Sequence, residues 1–275
     1  MNLSIKTITI AVVISLIIPG SLFAQENEFF EDDFSTETTE DESDIMYKKR
    51  VVRALDLREL SNRPLMAKNH EISKYLIAAV EEGIITPYSS DSLTHELSIT
   101  EFRNRISLES EPMQDTSYMD DDEKADYIAS LSNRGPQYYF ASDLYQFEIN
   151  EDILFDKERS QWKYDIQSIS IFVPADHPDN IRGIQQHIAT FDYKKCEPLF
   201  KEDPRAVWIN PYNDAENRTL ADAFNLRLFS SYIIKVSNPE DQYLVDIYGY
   251  GKQGRIASDI VAQELLEFEH NLWEF

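Results

Sequence analysis

Cysteine, glycine and histidine are all scarce in this 275-residue sequence, and each shortage excludes a class of protein. The single cysteine, Cys196, rules out an internal disulfide and therefore a disulfide-stapled scaffold. The 7 glycines exclude a glycine-rich repeat, and no repeat of solenoid length is present. The 5 histidines are scattered, without a metal-binding spacing such as H-E-x-x-H. The sequence therefore predicts no bound metal and no cofactor.

Basic residues are also in short supply. The 26 Lys and Arg residues stand against 50 Asp and Glu residues, which gives a formal net charge of −24. A chain this acidic repels phosphate backbones and anionic lipid headgroups, so neither nucleic acid nor an anionic lipid surface is expected as the main partner. A basic protein or a multisubunit assembly fits the charge better.

Only the N-terminus carries a long hydrophobic run, and residues 1–24 are typical of a cleavable secretory signal peptide. Lys6 supplies the positive start, the apolar run at 8–18 is shorter than a membrane span, and Pro19 breaks it. Ser21–Ala24 fits a cleavage site, and an uncleaved N-terminal anchor is the alternative. No cysteine follows the run, so we expect no lipid on this chain and a soluble mature protein.

Residues 25–46 form a tail that we expect to be disordered. Between Gln25 and Asp44 there are ten acidic residues and no basic one, so the segment repels itself. It is either a solvating leader or an electrostatic arm, and the basic cluster at 48–50 directly behind it could pair with such an arm. A second acidic stretch at 109–126 lacks the glycine of a calcium-binding loop, so it is interpreted as an acidic loop.

From residue 47 onward the hydrophobic pattern predicts one α+β domain, with a mixed sheet packed by amphipathic helices. The clearest helix is 69–82, with Asn69 as its N-cap and Gly83 just past its end. In the stretch 205–236 a turn leads to a helix capped by Thr219 and then to a strand. The other predicted elements are a strand and short helix at 45–60, a strand at 84–88, a helix from Thr100, strands across 143–174, a strand at 243–248 and a helix at 255–273.

The strand pattern changes within 143–174. Apolar residues stand at the even positions Trp162, Tyr164 and Ile166 and then at odd positions from Ile169, with the change at Ser168. Because side chains alternate across a strand, the change predicts either a one-residue bulge or burial on both faces.

Two motifs have the appearance of chemical sites. Gly249, Gly251 and Gly254 match the dinucleotide fingerprint G-x-G-x-x-G, but helix-like residues fill the remaining chain and leave no room for the second strand. We therefore interpret the motif as a glycine-bearing turn. Glu267 and His270 are spaced as in a di-iron helix, but only one such pair is present. Cys196 is interpreted as a small half-buried loop residue, with a lysine-activated thiolate as the alternative.

Four blocks of the sequence, in the same order along the chain, resemble the GldN/PorN family, the periplasmic ring subunit of the type IX secretion and gliding machinery. They are Arg53–Glu59 with Asn62–Pro64, Ile149–Asp156 with Arg159-Ser160, Asn210–Phe224 with Phe229–Lys235 and Ser237-Asn238, and Phe268–Phe275. The resemblance covers about residues 47–275. The glycine motif and the acidic stretch at 109–126 depart from the family pattern.

The resemblance implies a non-enzymatic structural subunit in the periplasm, at the inner face of the outer membrane. Its implied partners are a GldK/PorK-type outer-membrane lipoprotein, the periplasmic domain of a GldM/PorM-type protein, and further copies of itself in a ring. Contact with the membrane would occur only through the lipoprotein. A secreted hydrolase that uses carboxylates and a periplasmic ligand-binding protein remain the alternatives, because carboxylates are abundant in the sequence.

Arginine and aromatic side chains are the usual anchors of protein interfaces, and they guide the choice of interaction residues. For each residue chosen, an intramolecular role is the alternative. The predicted interaction residues are Arg53, Asp56, Arg58, Arg63, Trp208, Tyr212, Arg218 and Trp273.

Overall fold

The computed structural model describes residues 45–108, 137–157 and 161–272, together with Asp120 and Lys124. The predicted signal peptide, the tail up to Asp44, all of the 109–126 stretch except those two residues, and Trp273 lie outside the described residues. The first strand begins at Ile45, two residues before the predicted start of the domain.

A five-stranded sheet, in the order β4-β3-β2-β1-β7, organises the described part of the chain. Its strands are β1 (Ile45–Asp56), β2 (Gln146–Asp156), β3 (Gln161–Val173), β4 (Gln186–Asp192) and β7 (Tyr232–Val236), and a separate two-stranded ladder joins β5 (Val207–Trp208) to β6 (Arg218–Thr219). The α+β prediction is confirmed. The sheet is antiparallel throughout rather than mixed, because β2, β3 and β4 form a meander and both neighbours of β1 run opposite to it.

Six α-helices are described. They are α1 (Ile72–Glu81), α2 (Ile99–Ile106), α3 (Tyr193–Glu202), α4 (Leu220–Asn225), α5 (Leu244–Tyr248) and α6 (Lys252–Leu272). Short 3-10 turns lie at Arg63–Met66, Ala141–Asp143 and Asp214–Glu216.

One face of the sheet carries the apolar core, since alternate side chains of each strand point the same way. A large cluster that includes Phe147, Ile149 and Phe224 packs under the first four helices. A smaller cluster, which includes Ile153 and Leu244, packs under α5 and α6. Ile149 and Ile153 lie on the same face of β2, so the residue midway between them, Glu151, sits on the boundary of the two clusters.

The change of pattern at Ser168 is a bulge, as one of the two alternatives predicted. Asn150 pairs with Ser168, whereas the next residue, Glu151, pairs with Ile166, so Gln167 has no partner of its own. The extra residue brings Ile166 and Ile169 to the same face, and both are buried.

Local capping rules predicted two helix ends correctly and misplaced two others. The Thr219 hydroxyl accepts a hydrogen bond from the Asp222 N–H at 3.1 Å, and the Asp222 carboxylate accepts from Thr219 in return. Gly83 has a left-handed φ of 72° after α1, as predicted. Asn69 itself has φ 70°, so the N-cap of α1 is Glu71, and the N-cap of α2 is Ser98 rather than Thr100.

Three predicted elements are wrong. Residues 84–88 contain only an isolated bridge at Tyr88, and the turn after β1 is not an α-helix. Residues 244–248 form the helix α5 instead of a strand, because an apolar run this short fits one helical turn as well as it fits a strand. In β7 the predicted strand is confirmed, and Ile233 is its buried residue.

Candidate interaction surfaces

Arg53, the first predicted interaction residue, is committed to a buried ion pair. Its Nε donates to the carboxylate of Glu151, which is 0% exposed. Arg227 donates to the same carboxylate from the other side, with Nη1 at 2.6 Å, and its guanidinium lies 4.3 Å from the ring centre of Tyr164. This Glu151 cluster, made of Glu151, Arg53 and Arg227, joins β1, β2 and the loop after α4. Arg53 therefore contributes to the fold, and its role at an interface stays a prediction.

The next residue along β2, Asp152, faces the opposite side of the sheet. Arg50 donates to it through Nε at 2.7 Å and Nη2 at 2.9 Å, and Lys48 lies 3.3 Å away. Burial raises the pKa of Asp152, but the Arg50 hydrogen bonds and the two positive charges lower it by more. The pKa of Asp152 is therefore below its ordinary value. Two of the three bases in the cluster at 48–50 thus bind this carboxylate.

Asp56 and Arg58 contact each other at the end of β1. The Arg58 Nη2 donates to Asp56 at 2.8 Å and its Nη1 reaches Asp176 at 3.2 Å, while the guanidinium stacks 3.8 Å from the centre of the Tyr145 ring. The Tyr145 hydroxyl donates to Asp176 at 2.7 Å. Burial, followed by this hydrogen bond, raises the pKa of Tyr145 to about 12. The network lies at the surface, where it remains accessible to a partner.

Trp208 and Arg218 face each other across the β5–β6 ladder, and β5 packs against the turn that contains Arg63. Trp208 also packs against the large apolar cluster, and its buried indole N–H has no hydrogen-bond acceptor among the described residues. Arg63 and Arg218 are exposed, and Tyr212 is 95% exposed. The structure therefore brings Arg63, Trp208 and Arg218 into one region and leaves the aromatic ring of Tyr212 open to solvent.

Asn62 is a residue that the search for interface anchors missed. Its Nδ2 donates to the backbone oxygens of Asp56 and Ser230, each at 2.8 Å, and its Oδ1 accepts from the Ser230 N–H at 2.7 Å. The side chain is fully buried. Asn62 thus ties the end of β1 to the start of β7 across the edge of the sheet.

A polar row crosses the sheet on the face opposite the core. Ser170 pairs with Glu148 on β2 and with Thr190 on β4, and the Ser170 and Thr190 hydroxyls lie 2.7 Å apart. His187 Nε2 lies 2.8 Å from the Thr190 hydroxyl, but its Nδ1 faces the Arg105 guanidinium at 3.5 Å. Burial, and then the Arg105 charge, lowers the pKa of His187 to about 4. A hydrolytic triad needs an accessible nucleophile and a carboxylate behind the histidine, and this row has neither, since Thr190 is fully buried.

Glu148 makes this row sensitive to pH. Burial, followed by the negative charge of Asp91, raises the pKa of Glu148 to about 7, against the opposing effects of Lys235 and Gln185. The pKa of Glu148 is higher in the folded chain than in the unfolded chain. The folded chain therefore loses stability as pH rises from the ordinary carboxyl pKa through about 7. We expect Glu148→Gln to match the unmodified chain near pH 4 and to exceed its stability by on the order of 1–3 kcal/mol at pH 8. Urea unfolding across this range measures the difference.

The matched control for this prediction is Glu202→Gln, since Glu202 is exposed. It should leave the pH dependence of stability unchanged. A Glu148→Gln chain that is less stable than the unmodified one at pH 8 would contradict the prediction.

Helices α5 and α6 present exposed apolar side chains next to one another. Ile256 is 46% and Ile260 51% exposed on α6, and Tyr248 at the end of α5 is also exposed. They line a pocket of about 260 Å³, which Val261 and Glu264 complete. The inner side of α6 packs on the sheet through Val261 and Leu265, and Phe268 lies 4.6 Å from Tyr47, measured between ring centres. Val261 and Leu265 are half-buried there, whereas Phe268 remains 38% exposed.

The glycine motif builds the corner between these helices, as the interpretation of it as a turn requires. Gly249 ends α5 with φ 98°, and Gly251 has φ 72°. Gly254 lets α6 approach α5, since a Cβ there would lie 2.8 Å from Val245 Cγ1 and 3.0 Å from the Gly249 oxygen. A helix, not a strand, precedes the motif, so the dinucleotide reading also fails on its structural context.

We expect Gly254→Val to destabilise the chain by about 1–3 kcal/mol, because the added methyl groups overpack the contact between α5 and α6. Thermal or urea unfolding measures the loss. Gly251→Asn serves as the control: asparagine tolerates a left-handed backbone, and a Cβ at this position meets no atom within 4 Å. Equal losses in the two variants would contradict the close-approach role of Gly254.

The remaining chemical candidates from the sequence do not assemble into a site. Cys196 lies in α3 rather than in a loop and is fully buried, and burial raises its pKa to about 12, which disfavours a thiolate. Glu267 accepts a hydrogen bond from Gln263 at 2.9 Å. Within the described ranges no cluster of His, Cys, Asp and Glu could hold a metal ion. Nor does any helix there have the length and apolar character needed to cross a bilayer.

Comparison with known families identifies the family of this chain. The model of the family described as gliding motility associated protein GldN matches residues 40–274. The chain is a member of the GldN family. The resemblance seen in the sequence is therefore confirmed, and the GldN family is not a known enzyme family. A search of curated proteins finds no match.

The residues that carry the GldN resemblance meet in space. Arg53 and Asn62 belong to the first block, Glu151 to the second and Ser230 to the third. The Glu151 cluster and the Asn62 hydrogen bonds connect these blocks through side chains. The blocks therefore describe how this GldN-family fold is held together, while the exposed surface of α5 and α6 lies mostly outside them.

Proposed function

We propose that this chain is a non-enzymatic structural subunit of the type IX secretion and gliding apparatus. The observation that carries the proposal is the GldN family match, which spans residues 40–274. In this proposal residues 1–24 direct export, and the protein works in the periplasm at the inner face of the outer membrane.

The proposed assembly is a ring. Copies of the chain associate with one another and with a GldK/PorK-type outer-membrane lipoprotein, which supplies the only contact with the membrane. The ring also meets the periplasmic domain of a GldM/PorM-type protein. The surface features that support an assembly role are the exposed ion-pair network around Arg58, the region of Arg63, Trp208 and Arg218 with the open ring of Tyr212, and the apolar surface of α5 and α6.

The chemistry of the described residues gives the hydrolase alternative little support. Glu151 and Asp152 are each neutralised by two bases, and Asp56 and Asp176 by Arg58. The group most like a catalytic centre is His177, which lies 3.6 Å from Asp143 and 3.9 Å from Asp179. Among the described residues, no Ser, Thr or Cys side chain makes a polar contact with His177.

Complementation of a deletion strain tests the proposal. Loss of the gene should abolish both surface spreading and export of secreted cargo, because one assembly serves both. The variants Asp143→Asn and Asp179→Asn should restore both when they fold, since a scaffold needs no single acid. A variant that folds and assembles normally but remains inactive would favour the hydrolase.

A further inference from the structure

The apolar surface of α5 and α6 has the form of a groove for a helix. Ile256 and Ile260 stand four residues apart, so they lie one above the other on the outer side of α6. Tyr248 forms the opposing wall. We refer to Tyr248, Ile256 and Ile260 as the α5–α6 groove.

This groove is more than a scatter of exposed apolar residues. Single exposed hydrophobics are normal on a soluble protein, whereas contiguous ones mark an interaction site. Tyr248, Ile256 and Ile260 line one pocket of about 260 Å³. The close approach at Gly254 fixes the distance between its walls, because a side chain there would push α6 away from Val245.

The charge of α5 and α6 indicates which kind of partner the groove binds. Residues 244–272 carry five carboxylates and two basic side chains, and Glu264 lines the pocket itself. A second copy would bring the same acidic helix to this groove, so like charges disfavour contact between two copies at this site. A partner with basic side chains around an apolar stripe meets both features of the surface.

We propose that the α5–α6 groove binds an amphipathic helix of another protein, with apolar residues at i, i+4 and i+7 and Lys or Arg on its flanks. The inference rests on the proposed function in one respect: the partner is a different component of the same assembly. The apolar stripe of the bound helix contacts Ile256, Ile260 and Tyr248. Its flanking Lys and Arg side chains lie against the carboxylates of α5 and α6.

A peptide titration tests the chemistry of the groove. The probe is a synthetic amphipathic helix of Leu and Lys, measured by fluorescence anisotropy against the purified protein. The double variant Ile256→Ser/Ile260→Ser keeps the charge and should weaken binding by about tenfold or more, since two branched apolar contacts are lost. The same peptide with Glu in place of Lys should not bind.

The matched control is Ile181→Ser/Ile184→Ser, which removes two isoleucines of similar exposure, 55% and 59%, from another part of the surface. It should bind the Leu–Lys peptide as the unmodified protein does. Equal weakening by both double variants, or none by the groove variant, would overturn the proposal, because binding would then follow net charge alone. Circular dichroism of each variant checks that it is folded.

Photo-crosslinking separates this inference from the proposed function. A photo-reactive phenylalanine analogue replaces Ile260, or Ile184 as the control, and the assembly is isolated after irradiation. The expected product joins position 260 to a Lys- and Arg-flanked apolar segment of another protein. An intact assembly that yields no such product, or one that joins two copies of this chain, overturns the groove and leaves the proposed function standing. If the unmodified chain forms no assembly, the proposed function fails, and the peptide titration alone decides the groove.

Discussion

Replacing Glu151 by glutamine should lower the free energy of unfolding by about 3 kcal/mol, because two arginines lose the buried carboxylate that they share. Glutamine has nearly the same size, so the loss reports charge rather than a cavity. The side chains of Arg53 and Arg227 are 14% and 25% exposed, so water can hydrate them only in part. This partial hydration places the loss near the lower end of the range for broken buried pairs. Urea denaturation at neutral pH measures the change.

The neighbouring carboxylate provides the control for this prediction. Asp152 is equally buried at 2%, but Lys48 and Arg50 are each 58% exposed, so water solvates them when the carboxylate is lost. Asp152→Asn should therefore cost about 1 kcal/mol or less. The lowered pKa of Asp152 means that its contribution is present above the ordinary carboxyl pKa and is lost as pH falls through the lowered one. If the Glu151 and Asp152 variants lose the same stability, the burial of Arg53 and Arg227 does not add to the cost of losing the carboxylate.

Replacing Asn62 by alanine should cost about 3 kcal/mol, because a fully buried side chain loses three hydrogen bonds to the backbone at once. These bonds join Asn62 to the oxygen of Asp56, which also accepts from the Glu59 N–H, and to both the oxygen and the N–H of Ser230. The substitution also frees the start of β7 from the end of β1. Hydrogen exchange at Ser230–Ile233 should therefore accelerate more than exchange in β2.

Asn238 makes the same three bonds in a turn that is open to solvent. Its Nδ2 donates to the oxygens of Val236 and Gln242, and its Oδ1 accepts from the Gln242 N–H at 2.9 Å. Water can replace these bonds, so Asn238→Ala should cost about 1 kcal/mol or less. Similar losses at Asn62 and Asn238 would show that burial does not set the cost of the Asn62 hydrogen bonds.

Features that depend on neighbouring residues in the sequence could be predicted. The apolar face of α1, the capping box at Thr219 and the bulge before Ser168 each follow from a pattern only a few residues long. The short elements could not, since the apolar run that became α5 fits a strand equally well. The order of strands also lies beyond such rules: β1 and β7 are far apart in the sequence and pair only because both bury residues against α6.

The interaction residues show the same limit. Arg53 was chosen for its residue type, and its partner Glu151 lies 98 positions away, where no local pattern connects them. Trp208 was chosen for the same reason and packs against the core. The signal that the sequence did contain was a second stripe on α6: Ile256 and Ile260 stand beside the buried stripe of Val261 and Leu265, which makes the helix apolar on two sides.

Electron microscopy of purified complexes tests the assembly role most directly. The chain is produced in the periplasm alone and together with the neighbouring outer-membrane lipoprotein, and both preparations are imaged in negative stain. The account predicts closed rings in the sample that contains the lipoprotein and none in the other. A stable, unassociated monomer in both samples would contradict it.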